Sequence, residues 1–149
     1  MSTNNDTILN VAREWIWPIA LASTIFLASG RSQVAAPDVP NIDKIAHFFV
    51  YGLLGTLVAR VSVVARLRPL GMYSAVVICS LYGFSDEFHQ SFTPGRSVEF
   101  LDWLSDTCGA ALAVFVYARW RLYRTFLECS LLGRTQVEID GVSVPNSVP

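Results

Sequence analysis

Between Asp86 and Asp106 the chain reads DEFHQSFTPGRSVEFLDWLSD, with Asp86, Glu87, Arg96, Glu99, Asp102, Asp106 and, when protonated, His89 as its charged groups. A second polar cluster lies upstream, Asp43-Lys44-x-x-His47. Carboxylates and an imidazole are side chains that move protons, so Asp86 and Glu87 are the candidate general acid or base, with His47 as the proton shuttle. Lys44 and Arg96 are the candidates for holding a phosphate or carboxylate, the Arg in a bidentate way. Asp43, Tyr51, Gln90, Asp102 and Asp106 complete the candidate ligand-binding set. No nucleophile elbow or phosphate-cradling loop occurs, so nothing narrows the reaction type.

Helical spacing decides which of these groups share a face. Asp43, His47 and Tyr51 follow at i, i+4 and i+8. Asp86 and Gln90 stand one turn apart, with Tyr82 a turn deeper, and Asp102 and Asp106 form a stripe that Gly109 continues. Asp106 then sits about 6 Å deeper than Asp102. Such stripes cannot face lipid, where an uncompensated charge costs several kcal/mol. Three helices must therefore aim their polar groups at one common volume, the bundle interior or a hydrated vestibule.

The elements that position them are apolar. The 149 residues are 52% hydrophobic and only 15% charged, with a mean hydropathy of +0.42. Soluble domains carry about 25% charged residues, so the composition points to an integral membrane protein with the lipid bilayer as its partner. A net charge of −1 gives no reason to expect nucleic-acid binding. Three cysteines without Cys-x-x-Cys spacing indicate neither a disulfide framework nor a thiolate zinc site.

The expected fold is all-α: an integral membrane four-helix bundle of antiparallel up-down spans at about 15–30, 42–65, 70–90 and 98–123, joined by short loops. Residues 1–14 form a polar N-terminal segment, 15–123 the membrane domain and 124–149 a flexible tail. The run Trp15–Gly30 carries no charge and gives about 24 Å of helix against a ~30 Å hydrocarbon core, with Pro18 in its first turn, where proline is tolerated. A cleaved signal peptide is the rival reading, given Ala28-Ser29-Gly30; Glu14 beside the only base of the n-region speaks against it. Asn41 is a good N-cap for the second span and Asp43 suits its first turn. Gly52, Gly55 and Ala59 on that span, and Gly109, Ala110 and Ala113 on the fourth, permit close helix contact in lipid. The short Arg66-Leu67-Arg68-Pro69 connection makes the second and third spans antiparallel neighbours. Pro94-Gly95 makes a turn, and Ser97 is placed to cap the fourth span with Glu99 in its first turn. Thr135–Val144 alternates around Asp140-Gly141, a hairpin signal, though a lone hairpin is marginal in water and disorder fits as well.

Four spans place Arg13, Arg60, Arg66, Arg68, Arg119, Arg121, Arg124 and Arg134 on one side, against Arg31, Lys44 and Arg96 on the other, which accounts for all 11 bases. The positive-inside rule then puts both termini in the cytoplasm of a multi-pass cell-membrane protein and opens the polar cluster to the non-cytoplasmic side. Trp15, Trp17 and Trp120 mark the inner interface and Trp103 the outer one.

At Asp43-Lys44-x-x-His47-x-x-x-Tyr51, Asp86-Glu87-x-x-Gln90, Pro94-Gly95-Arg96, Asp102 and Gly109 the chain resembles the VanZ-like family of small integral membrane proteins. The likeness covers about residues 43–112. The family takes its name from a protein associated with resistance to the glycopeptide antibiotic teicoplanin. The resemblance implies a multi-spanning helical fold with this polar cluster and names no reaction. One position departs from it: Asp106 stands where the family usually has Asn.

Three functions stay open on this reading. The cluster acts on a lipid-linked or cell-envelope substrate at the outer leaflet. Or it binds such a precursor, a lipid head group or an amphiphilic antibiotic without chemistry. Or its polar groups only lock the helices, with Asp102 and Arg96 as an interhelical ion pair. His47 with Asp43, Asp86, Glu87 and Asp106 would also suit a divalent cation, although no sequence-local metal signature is present.

Overall fold

The computed structural model describes residues 3–30, 42–94, 98–120 and 125. Its elements are helices α1 (Thr3–Ser29), α2 (Ile42–Ala59), α3 (Ser62–Ala65), α4 (Ser74–Gln90) and α5 (Phe100–Arg119), with a 3₁₀ turn at Gly71–Tyr73 leading into α4. No strand occurs among the described residues. The hairpin expected at 135–144, the turn residue Gly95, the expected caps Asn41 and Ser97, and Arg96 lie outside them.

Among the described residues, three segments are long and apolar enough to cross a membrane: Ile8–Ser29, Ile42–Ala59 and Phe100–Arg119. The 17-residue α4 is not among them. Burial is inverted relative to a water-soluble protein. Phe49, Leu81 and Phe92 are 68%, 66% and 72% exposed, whereas Asp86, Glu87, Asp102 and Asp106 are at most 5% exposed. Apolar side chains turned outward around buried carboxylates suit a hydrocarbon solvent, in which outward charge is the expensive arrangement. The chain is a helical membrane protein.

Several boundaries differ from the sequence reading. Helix α1 begins at Thr3 and absorbs the segment expected to precede it, because nothing between Thr3 and Glu14 breaks a helix. Pro18 therefore lies inside the helix, where its ring leaves the Glu14 carbonyl without an intrahelical donor. The second span ends at Ala59. Val61 adopts an extended conformation and the chain restarts as α3, whose first amide, Ser62 N–H, donates to Glu14 Oε2 at 2.7 Å. In the connector that follows, Gly71 has φ +57, a left-handed position that favours glycine. Glu99 occupies the N-cap position of α5 and makes no side-chain cap bond.

The core sits between α2 and α5. A Cβ on Gly52 would stand 3.3 Å from the Gly109 carbonyl oxygen, and one on Gly55 would stand 3.0 Å from Ala110 Cα. The small residues thus bring two backbones together, which is how helices gain packing energy where lipid removes the hydrophobic driving force. Val58, Cys79, Val114 and Tyr117 fill the remaining interior. Helix α4 joins α5 through polar contacts: Trp103 Nε1–H donates to the Ser80 carbonyl at 3.0 Å, and the Ser80 and Thr107 hydroxyls are 2.9 Å apart. Trp103 is thus a helix-to-helix donor besides any interfacial role. Trp103→Phe should cost about 1 kcal/mol, read as a lower midpoint in an unfolding titration from mild detergent into SDS.

Candidate functional site

The last turns of α1 and α4 meet the first turns of α2 and α5, and the polar residues collect there. On α2, Asp43 is half-exposed, Lys44 and His47 are largely covered and Tyr51 is buried. On α4, Asp86, Glu87 and Gln90 are buried, as are Asp102 and Asp106 on α5. The helical periods read from the sequence thus turn inward on all three helices.

These residues form two sets. The first ties α2 to α5. Lys44 Nζ donates to Asp102 Oδ1 at 2.9 Å, to Glu99 Oε2 at 2.8 Å and to Asp43 Oδ2 at 3.0 Å. One turn deeper, His47 Nδ1 lies 2.9 Å from Asp106 Oδ1. The three ammonium hydrogens of Lys44 thus have three carboxylate acceptors. Asp102 takes Lys44 as its partner; Arg96, expected to pair with it, lies outside the described residues.

The second set joins α1 to α4. The Ser29 hydroxyl donates to Asp86 Oδ1 at 2.6 Å, and Gln90 Nε2 donates to Asp86 Oδ2 at 3.4 Å. Tyr82 O–H donates to the Ala22 carbonyl at 2.6 Å. His89 stacks on Phe26 with ring centroids 4.0 Å apart. Between these helices and α2 lies a cleft of about 190 Å³. Its lining combines the polar side chains of Ser29, His47, Tyr51, Asp86 and Gln90 with the apolar ones of Ile25, Ala28, Ala46 and Val50. His47 and Asp86, from different helices, therefore face one hollow.

Glu87 stands between the two sets. Its Oε2 accepts the Glu99 backbone N–H at 2.9 Å, while its Oε1 is buried without a hydrogen-bond partner among the described residues. Tyr51 O–H and Asp106 Oδ2 are likewise buried and unpartnered. Ligand atoms of His47, Glu87 and Asp102 all lie within 4.8 Å of one another, as do those of Asp43, Glu99 and Asp102 at the more exposed rim.

Sequence reasoning missed three participants. Ser29 closes an apolar run that resembles a cleavage site, and nothing local marks it as the partner of Asp86. Glu99 seemed to be an ordinary first-turn acid, yet its side chain binds Lys44 and its amide binds Glu87. Gly83 is invisible as a site residue without coordinates: a Cβ there would stand 2.8 Å from Asp106 Oδ2 and 3.2 Å from Tyr51 Cε1. It is the gap that lets the Asp106 carboxylate lie against α4.

A family model described as VanZ/LLP1 matches residues 3–123, which takes in all five helices. The chain belongs to the VanZ/LLP1 family. The match extends beyond the motif-bearing stretch to α1, whose Ser29 completes the Asp86 contact. Among curated proteins, the VanZ/LLP1 chain is similar to one from Schizosaccharomyces pombe named uncharacterized protein C11E3.10, 31% identical over 97 residues. The aligned part is 62% of this chain and 59% of that protein, so the chain spans well under two thirds of the relative it matches. No solved structure matches this VanZ/LLP1 chain.

Proposed function

We propose that this VanZ/LLP1 protein holds a lipid-linked or cell-envelope amphiphile in the cleft between α1, α2 and α4, at the outer leaflet of the cytoplasmic membrane. The observation that carries the reading is the cleft's mixed lining, apolar side chains beside polar ones. An acyl or prenyl chain would lie against Ile25, Ala28, Ala46 and Val50, and the polar group would meet His47, Asp86 and Gln90. The topology in this proposal is four antiparallel crossings, with α4 and the turn before it as the third and both termini in the cytoplasm. The meeting of the last turns of α1 and α4 with the first turns of α2 and α5 supports that up-down order. Asp86 or Glu87 would serve as acid or base, with His47 passing the proton. A link to glycopeptide resistance belongs to the same proposal and rests on the family alone.

The anionic part of such a ligand is the demanding one. Among the described residues, the cleft lining contains no Lys or Arg, and Lys44 is held by three carboxylates. Recognition of phosphate or carboxylate at the rim therefore falls to Arg96 in this reading.

A polyprenyl phosphate is a suitable probe, with the matching polyprenol as control. Detergent-purified protein should retain the phosphate, measured by native mass spectrometry. Ala28→Trp should reduce that retention at least tenfold. Ala28 is an exposed residue of the cleft lining, so the indole fills the cleft while stability stays within about 0.5 kcal/mol. Retention equal to wild type in Ala28→Trp would sink the cleft reading.

A second reading has its own observation. The tie of Lys44 and His47 on α2 to α5 resembles an interhelical lock. Asp86→Asn separates the two. An Asn oxygen can still accept from Ser29, and Gln90 can present its own oxygen to the new amide. The folded yield should therefore stay near wild type while any turnover or phenotype is lost. If instead Asp86→Asn lowers the amount of folded protein in the membrane several-fold, the polar groups serve the fold and the ligand reading fails for Asp86.

A further inference from the structure

We infer that His47, Glu87 and Asp102 form a binding site for one divalent first-row transition cation, Mn²⁺ or Zn²⁺, between α2, α4 and α5. Each of the three side chains is anchored through one atom. Asp106 holds His47 through Nδ1, the Glu99 amide holds Glu87 through Oε2, and Lys44 holds Asp102 through Oδ1. What remains is Nε2 of the imidazole, Oε1 of Glu87 and the second oxygen of Asp102. A His fixed by a carboxylate at one ring nitrogen and ligating through the other is a recurrent metal arrangement. Here Asp106 is the outer partner.

Two observations point to a ligand and not to a mere cluster of acids. Ligand atoms of the three residues lie within 4.8 Å of one another. Cation–ligand distances of about 2.0–2.2 Å bring ligand atoms to about 3–4 Å separation, so a small inward rotation of these side chains closes the shell. Second, Glu87 Oε1 is a fully covered carboxylate oxygen with no hydrogen-bond partner among the described residues, on a side chain that is 2% exposed. Buried polar atoms are paired in more than about nine cases in ten, and an unpartnered carboxylate oxygen is among the costliest exceptions. Charge leads the same way. Asp86, Glu87, Asp102 and Asp106 are all buried at this end of the helices, and Lys44 is the one Lys or Arg among the described residues that the resolved salt bridges bring to them. One imidazole with two carboxylates suits Mn²⁺ or Zn²⁺, whereas Mg²⁺ and Ca²⁺ take oxygen ligands. The rim group Asp43, Glu99 and Asp102 lacks the imidazole, and its Asp43 and Glu99 are half-exposed.

His47 also lines the cleft, so the cation would stand next to the cleft. A ligand phosphate or carboxylate oxygen could complete its coordination, supplying the positive charge that the lining lacks. Ion binding itself does not rest on the cleft reading. It is measured without any amphiphile, and failure of either leaves the other standing.

The test uses the full chain purified in detergent, stripped with EDTA and dialysed against MnCl₂ or ZnCl₂, with metal content by elemental analysis. The expected result is one ion per chain, bound at least tenfold more weakly by Glu87→Gln than by the wild type. Gln at position 87 can still accept the Glu99 amide, so the anchor survives. A wild-type protein that retains no ion overturns the inference, as does an ion that Glu87→Gln holds as tightly as the wild type. A further measurement needs no change in the shell. Mn²⁺ bound to His89→Gln protein should show an imidazole nitrogen coupling in pulsed electron paramagnetic resonance. Its absence overturns the site even where Glu87→Gln fails to fold.

Discussion

Gly109→Ala should cost about 3 kcal/mol or more and leave little folded protein in the membrane. A Cβ at this position would overlap the Phe48 carbonyl oxygen and stand 2.8 Å from its carbonyl carbon and 3.0 Å from its Cα. The three nearest atoms all belong to the Phe48 backbone, so rotating a side chain away gives no relief. The two helices would have to separate, and that separation would also part Gly55 from Ala110 and Lys44 from Asp102. Overpacking usually costs about 1–3 kcal/mol because neighbours yield; here a helix axis must move, which places the substitution in the upper tail. The measurement is an unfolding titration in mixed detergent beside the membrane-extracted yield. Gly52→Ala is the graded comparison, since its nearest atom is 3.3 Å away. It should cost clearly less. Equal effects at the two positions would mean that α2 and α5 do not approach as closely as described.

These close approaches show which parts of the molecule can be read from the sequence. The small residues at Gly52, Gly55, Gly109 and Ala110 have only one economical use in an apolar helix, and they sit where that use predicts. The same holds for the polar stripes. An acid every fourth residue on an otherwise apolar helix must face inward, and Asp102, Asp106 and the pair Asp86 and Gln90 do so. What could not be read is partnership across helices. Spacing along a helix fixes a face but not which neighbour that face meets, so nothing in the sequence tells that Lys44 reaches Asp102 from α2; the pairing of Asp102 with Arg96 lies outside the described residues. Ser29 and Gly83 escape notice for the same reason, because their roles are defined wholly by Asp86 and Asp106 on other helices. The starts of α1 and α5 rest on weak local signals, a polar composition and a serine, neither of which fixes a helix boundary. Lys44, where the sequence-based role and the observed contacts diverge most, is therefore the most informative residue to change.

Lys44→Met should destabilise the protein by about 2–3 kcal/mol. Removing one member of a buried ion pair costs about 3–5 kcal/mol, because the other charge is left desolvated, while an exposed pair is worth about 0–1 kcal/mol. Lys44 combines both situations: its side chain is 20% exposed, its partner Asp102 is 7% exposed, and Asp43 and Glu99 are half in solvent. The loss should therefore come mainly from Asp102. Adding Asp102→Leu to Lys44→Met removes the stranded carboxylate and should recover more than half of the loss. The coupling between the two sites in a double-mutant cycle should exceed about 1 kcal/mol. A single substitution costing under about 1 kcal/mol, with no recovery in the double variant, would show that this network does not hold α2 against α5. The same protein also decides what the ammonium group is for. If Lys44 is the anion-holding residue that the sequence suggests, the folded fraction of Lys44→Met should lose polyprenyl phosphate. The contacts predict the opposite: an ammonium group whose three hydrogens already meet three carboxylates has none left for a phosphate, so retention should match wild type once the loss of folded protein is corrected for.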